Sequence, residues 1–182
     1  LDDPAVFETC GKGQMNGVFQ FESQGMKNVL VQLGPEHMED LIAVISLYRP
    51  GPMDSIPRYV QNRHSPALVT YKHLKLEPIL KVTYGCIVYQ EQVMQICREL
   101  AGYSYGRADL VRRAMSKKKH DIMEKERHSF IYGQTREDGT VECAGCVANG
   151  VPAHIANEIF DEMSSFASYA FNKSHAAAYA LV

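Results

Sequence analysis

The sequence predicts a mainly α protein with little or no sheet. Three observations carry this expectation. Apolar residues recur at helical spacing, as in Met26, Val29, Leu30 and Leu33, and again in Met38, Leu41, Ile42, Ile45 and Tyr48; each set is one face of a 3.6-residue period. Gly and Pro stand at the ends of these runs, where helices start and stop, as at Gly34, Pro52, Gly102 and Pro152. Period-two alternation is weak and confined to Val18-Phe19-Gln20-Phe21, a short candidate strand. With 182 residues, 46% of them hydrophobic, the chain can bury the core of one domain or slightly more.

In chain order, Gly11, Gly13, Asn16 and Gly17 mark turns in residues 1–22. Ser23 is a candidate N-cap for the first amphipathic helix, which Gly34 ends. Pro35 is placed to open the second helix at its first turn, and Arg49-Pro50-Gly51-Pro52 stops it. Residues 53–83 read as loop, basic and broken by Pro57, Pro66 and Pro78. Cys86-Ile87-Val88-Tyr89 is an apolar run that fits either a strand or a helix start. Val93, Ile96, Cys97, Leu100 and Ala101 form a helical stripe closed by Gly102. Helices are expected over 108–117 and 121–132, the latter with Ile122, Met123, Phe130 and Ile131 inward. Residues 135–150 form a turn-rich insertion. Pro152 then opens a helix in which Ile155, Ile159, Met163 and Phe166 stack. The total is about seven helices, with no internal repeat.

The densest positive charge lies at 102–119. On a helix over 108–117, Leu110, Val111, Ala114 and Met115 share one face, and Arg112, Arg113, Ser116 and Lys117 share another. Two planar guanidinium forks and an ammonium at fixed separation suit a polyanion such as a triphosphate or a nucleic-acid backbone. A solvated basic face is the equal alternative from charge alone. A second constellation, Asn172-Lys173-Ser174-His175, follows Tyr169 and Phe171. Rings beside amide, ammonium and imidazole can stack on bases and bond to sugar or phosphate, while Asn172 also reads as a helix N-cap.

Other chemistry is sparse. Cys143-Ala144-Gly145-Cys146 has the spacing of half a zinc knuckle or a redox pair. No second CxxC or HxxxH completes a four-ligand zinc site, and the turn-rich setting is not that of a redox motif. Reduced cysteines of a hairpin are the favoured reading. The carboxylate pairs Asp2-Asp3, Glu39-Asp40, Glu137-Asp138 and Asp161-Glu162 lack the look of a strand-borne set converging on metal ions, so no metal ligand is assigned. No phosphate-binding glycine loop, dinucleotide fingerprint or nucleophile elbow is present. The net charge of -2 gives no global field to attract nucleic acid, so any such binding rests on local patches. Five cysteines, odd and scattered, point to a reducing compartment. No membrane span or signal-peptide layout is predicted. The opening Leu1 and the uncapped run Ala176-Ala177-Ala178-Tyr179-Ala180-Leu181-Val182 are those expected of a piece excised from a longer protein.

Five landmarks in order resemble the fingers region of the bacterial replicative C-family DNA polymerases, the DNA polymerase III alpha subunits. They are Gly17-Val18-Phe19-Gln20-Phe21-Glu22-Ser23-Gln24-Gly25-Met26-Lys27, Leu47-Tyr48-Arg49-Pro50-Gly51-Pro52, Tyr84-Gly85-Cys86-Ile87-Val88-Tyr89-Gln90-Glu91-Gln92-Val93-Met94, Arg112-Arg113-Ala114-Met115-Ser116-Lys117-Lys118-Lys119, and Phe171-Asn172-Lys173-Ser174-His175 with the Ala-rich run behind it. Ser116 stands where the family more often has Gly, and Ser168 and Ala170 replace glycines.

The resemblance implies a helical fingers-domain fragment, with 1–22 the end of the palm and lead-in and 23–182 the fingers. It implies an enzyme of the bacterial cytoplasm that extends a DNA primer–template with deoxynucleoside triphosphates alongside other replicase subunits. Magnesium would be held by palm aspartates absent from this chain, which alone would be inactive. Arg112 and Arg113 would grip the triphosphate, with Lys117 in support. Asn172, Lys173 and His175 would line the nucleotide pocket, His175 sensing the sugar. Arg49, Gln90, Lys118 and Lys119 would make further DNA or nucleotide contacts. The rival is a stand-alone helical module that binds nucleic acid or a protein without catalysis. It would bind single-stranded DNA tightly with a steep salt slope.

Overall fold

Serine and asparagine side chains, glycine stops and apolar stripes place most helices where their spacing requires. The computed structural model describes residues 2–117, 120–167 and 169–182. In order, its α-helices are α1 (Pro4–Gly11), α2 (Gln24–Leu33), α3 (Met38–Leu47), α4 (Ile56–His64), α5 (Glu77–Leu80), α6 (Gln90–Ala101), α7 (Tyr105–Ser116), α8 (His120–Tyr132), α9 (Ala153–Ala167) and α10 (Lys173–Leu181). Between α8 and α9 runs a two-stranded antiparallel hairpin, β1 (Gln134–Thr135) and β2 (Val141–Cys143), with Gln134 opposite Cys143 and Thr135 opposite Val141. The chain is mainly α, as expected, and divides into two units. One is Leu1–Thr70, Val82–Tyr89 and Phe171–Val182; the other is Tyr71–Lys81 and Gln90–Ala170.

In the first unit, Ser23 caps α2 by accepting from the Met26 N–H at 3.3 Å, and Gly34 ends the helix in the left-handed region at φ 58°. Leu30, Leu33, Leu41, Ala43, Val44, Leu47 and Tyr59 are buried around it. The tenth helix packs on α3. Helix α3 begins at Met38 rather than at Pro35, because buried Asp40 draws in the preceding backbone. Its Oδ2 accepts from the N–H groups of Glu36 at 3.1 Å and His37 at 3.3 Å. The same carboxylate meets Arg63 Nε at 3.4 Å and Tyr84 Oη at 3.3 Å, so a buried charge has a cationic partner and four donors.

Among the described residues, three helices beyond the expected seven appear. Asp3 caps α1, its Oδ1 accepting from Ala5 N–H at 2.9 Å. Helix α4 lies inside the stretch expected to be loop. Pro57 marks a helix start there and not a break, since a missing N–H costs nothing in the first turn. Only Ile56 and Tyr59 of α4 are buried, too thin a stripe to read as periodicity. Helix α5 is a single turn. The expected strand at Val18–Phe21 is replaced by turns closed by Val18 N–H to Met15 O and Phe21 N–H to Val18 O, with Gln20 at φ 68°. Val88 and Tyr89 resolve toward extended chain: Tyr89 bridges Phe171 in parallel, and Val88 O accepts from Phe171 N–H at 3.3 Å.

In the second unit, α6, α7, α8 and α9 bury Val93, Ile96, Leu100, Val111, Met115, Phe130, Ile159, Phe160 and Met163. The buried face of α9 runs through Ala156, Ile159, Phe160 and Met163, and Phe166 is only half-buried. Ile122 is exposed rather than inward. The hairpin lies against the end of α8 so closely that a Cβ on Gly133 would sit 2.4 Å from Ala144 O, and one on Gly145 2.2 Å from Gly133 N. Both glycines also have positive φ, so no other residue fits either place without backbone movement.

Candidate functional site

Helix α7 starts where Ser104 accepts from the Arg107 N–H at 3.3 Å. Its buried side comprises Arg107, Ala108, Val111, Ala114 and Met115, whereas Leu110, expected inward, is 67% exposed. The stripe is rotated because Arg107 goes in. Its Nη2 donates to Glu126 Oε2 at 3.1 Å and Gln134 Oε1 at 2.7 Å, and Nη1 lies 3.4 Å from Glu142 Oε1. Arg107 therefore ties α7 to α8 and the hairpin. The reading from sequence missed it, since nothing local marks an arginine as buried.

Arg112 and Arg113 stand on one carboxylate. Arg112 donates from Nε at 3.0 Å and Nη2 at 2.6 Å to Asp109 Oδ1, and Arg113 Nε is 2.7 Å from Asp109 Oδ2. Arg112 Nη1 also donates to Gln90 Oε1 at 3.1 Å, while Gln90 Nε2 donates to Ala170 O at 3.1 Å. The arginines differ in exposure, 17% for the Arg112 side chain and 63% for Arg113. Hydrogen bonding from Arg112, reinforced by both guanidinium charges, holds the Asp109 carboxyl below the usual carboxylate range. Lys117 is exposed and closes the helix, its N–H bonding Arg113 O at 3.1 Å. Arg113 and Lys117 border an open cleft of about 360 Å³ whose floor includes Val111 and Ala114. Lys118, Lys119 and Ser168 lie outside the described residues. Asp109 was absent from the sequence reading, although its place three and four residues before the arginines is the spacing at which a helix pairs opposite charges.

The second cluster belongs to the other unit. Asn172 caps α10, its Oδ1 accepting from His175 N–H at 2.9 Å. Lys173 Nζ pairs with Glu39 Oε1 at 2.8 Å and lies 5.3 Å from the centre of the Tyr89 ring. His175 is exposed, edge-on to Phe171 and Tyr179 at 5.4 and 4.7 Å between centroids. Arg49 lies over the Phe171 ring at 4.2 Å, its Nε donating to Ser46 O at 3.0 Å. Phe19, Tyr48, Arg49, Phe171, His175 and Tyr179 line a cleft of about 450 Å³. Tyr48 reaches so close to α2 that a Cβ on Gly25 would fall 1.8 Å from its hydroxyl. Phe19 and Tyr179 were missed as lining residues; their rings, 5.4 Å apart, come from opposite ends of the sequence.

The model of the bacterial DNA polymerase III alpha subunit finger domain matches residues 1–138. The chain belongs to this finger-domain family. It is 49% identical over 182 residues to the DNA polymerase III subunit alpha of Staphylococcus aureus (strain N315), covering 100% of this chain and 16% of that protein. It is likewise 49% identical over 181 residues to that of Staphylococcus epidermidis (strain ATCC 12228 / FDA PCI 1200), with the same 16% share. The chain thus spans about a sixth of the length of the curated relatives it matches.

Each acidic pair of this finger-domain chain has at least one member with a structural partner. Asp3 caps α1, Asp40 is buried against Arg63, and Glu39 pairs with Lys173. Asp138 Oδ1 accepts from Thr140 N–H at 2.9 Å; Asp161 meets Arg127 at 2.7 Å and Glu162 meets Lys72 at 3.2 Å. Among the described residues no group of three His, Cys, Asp or Glu side chains is placed to hold a metal ion. Cys143 and Cys146 are free and buried, and Cys143 Sγ donates to Ser129 O at 3.7 Å. Burial pushes the Cys146 thiol up to about 12 and the Cys97 thiol up as well, which disfavours the thiolate that metal or redox chemistry needs. Cys143, at the end of β2, and Cys146, just after it, act as core residues. No helix among the described residues is long and apolar enough to cross a membrane.

Proposed function

We propose that this chain is the part of a replicative DNA polymerase that binds the incoming deoxynucleoside triphosphate and the primer–template DNA. The observation that supports this best is the gathering of two guanidinium groups at one anion-sized position on α7, in a chain of the finger-domain family. Residues 1–22 serve as the lead-in from the palm and 23–182 as the fingers. Arg112 and Arg113 grip the triphosphate and Lys117 adds a third cation. Asn172, Lys173 and His175 line the nucleotide pocket, with exposed His175 toward the sugar. Arg49, Gln90, Lys118 and Lys119 contact nucleotide or DNA. The magnesium of the enzyme is held by palm aspartates outside residues 1–182, other replicase subunits are its partners, and the enzyme works in the bacterial cytoplasm. This chain alone performs no synthesis.

The cations act by positioning the phosphates and stabilising the charge that develops on them. The test is single-turnover nucleotide incorporation by the full-length polymerase carrying Arg112→Ala or Arg113→Ala. Loss of one such donor removes about 2.7–4 kcal/mol of transition-state stabilisation, so kcat/KM falls about a hundredfold to a thousandfold. Wild-type kinetics in both variants, with folding checked by circular dichroism, overturns the assignment.

A further inference from the structure

We propose that Asp109 is a built-in counter-ion that occupies the place of a ligand phosphate and makes the arginine pair selective for polyphosphate over single phosphate. The proposal rests on the reading of Arg112 and Arg113 as the anion grip.

Neighbouring positions on a helix point about 100° apart, so Arg112 and Arg113 have no intrinsic reason to converge. They converge because Asp109 lies one turn earlier and offers a separate oxygen to each: Oδ1 to Arg112 Nε and Nη2 at 3.0 and 2.6 Å, Oδ2 to Arg113 Nε at 2.7 Å. A planar carboxylate holding two guanidinium groups uses the donor geometry that would hold two oxygens of a phosphate. Gln90 Oε1 fixes the far side of Arg112 at 3.1 Å. The guanidinium groups are therefore set in position before any ligand arrives. An anion that takes the inner edges of both guanidinium groups replaces Asp109, which is 28% exposed and can be rehydrated where it stands. A ligand with several linked charges competes with the carboxylate; a single phosphate competes poorly. Asp109 thus acts through the arginines, as a positioning and specificity-determining residue.

The test is calorimetric titration of the intact polypeptide with inorganic tripolyphosphate and, separately, orthophosphate. Exchanging the carboxylate in Asp109→Asn tightens tripolyphosphate binding about threefold to tenfold, the range of two partly exposed ion pairs, and narrows the preference over orthophosphate. Asp109→Glu keeps the charge and stays within about twofold of wild type. Arg112→Ala and Arg113→Ala weaken binding. If the arginine variants weaken binding but Asp109→Asn leaves it unchanged or weaker, the counter-ion is overturned and the grip stands. If Asp109→Glu tightens binding as much as Asp109→Asn, charge is not the cause and the proposal also fails. If neither arginine variant matters, the grip fails and the counter-ion with it. Should Asp109→Asn not fold, the wild type decides: the Arg112 and Arg113 Nε–Hε resonances must shift on adding tripolyphosphate, and fixed resonances overturn the exchange.

Discussion

The cationic clusters on α7 and α10 are held by different means. On α7 the partner of both arginines is Asp109 of the same helix. On α10 the partner of Lys173 is Glu39 of α3, 134 residues away, and the imidazole of His175 is framed by rings rather than by charge. In the first arrangement the pairs with Asp109 need only a formed helix, with Gln90 of α6 adding one bond to Arg112. The second needs α10 seated on α3 and Phe171 bridged to Tyr89. The α7 pairs should therefore outlast partial loss of tertiary structure, and the α10 cluster should not.

The strongest way to break the comparison is Asp40→Ala. It leaves the 12%-exposed Arg63 side chain without its buried carboxylate and frees the N–H groups that begin α3. Removing one partner of a buried pair costs about 3–5 kcal/mol. Chemical denaturation followed by the α10 resonances should show that cluster melting early, with the Arg112 and Arg113 signals unmoved at the same denaturant concentration. Equal loss at both clusters would remove the distinction.

Next in size is Gly25→Ala. The new methyl collides with the Tyr48 hydroxyl, a cost of about 1–3 kcal/mol for overpacking, offset by up to about 1 kcal/mol of helix propensity. The Tyr48 ring should leave the cleft, with shifts in its neighbours Arg49 and Phe171 by NMR, and none on α7.

Asn172→Ala removes a cap and costs about 1 kcal/mol. Its mark is faster hydrogen exchange at the His175 amide, which loses its 2.9 Å acceptor.

The smallest effect is acid titration of Asp109. Its folded carboxyl titrates below the ordinary value because Arg112 and Arg113 favour the ionised form. The stability it contributes is therefore complete above the unfolded value near pH 4 and disappears as pH falls through the lower folded value. Comparing wild type with Asp109→Asn between about pH 2 and 6 should give curves that separate above pH 4 and merge at the acid end. A constant separation at every pH would exclude the pairing.

Helices with wide stripes and marked ends could be read from the residues alone. Ser23 and Gly34 bound α2, and Val93, Ile96, Cys97 and Leu100 define α6. Those signals act between residues a turn apart, so they are written locally. The landmarks of family likeness and both cationic clusters were legible for the same reason, and Asp109 was legible in principle through its helical spacing. The rest depended on contacts made by folding. Burying Arg107 among Glu126, Gln134 and Glu142 rotated α7 and left Leu110 outside. Joining Asp40 to Arg63 moved the start of α3 past Pro35. Seating the hairpin on α8 turned Cys143 and Cys146 into core residues. In each case a polar or small side chain takes its role from a partner brought close by folding, and that partner's position is not encoded within the turn or two over which periodicity operates.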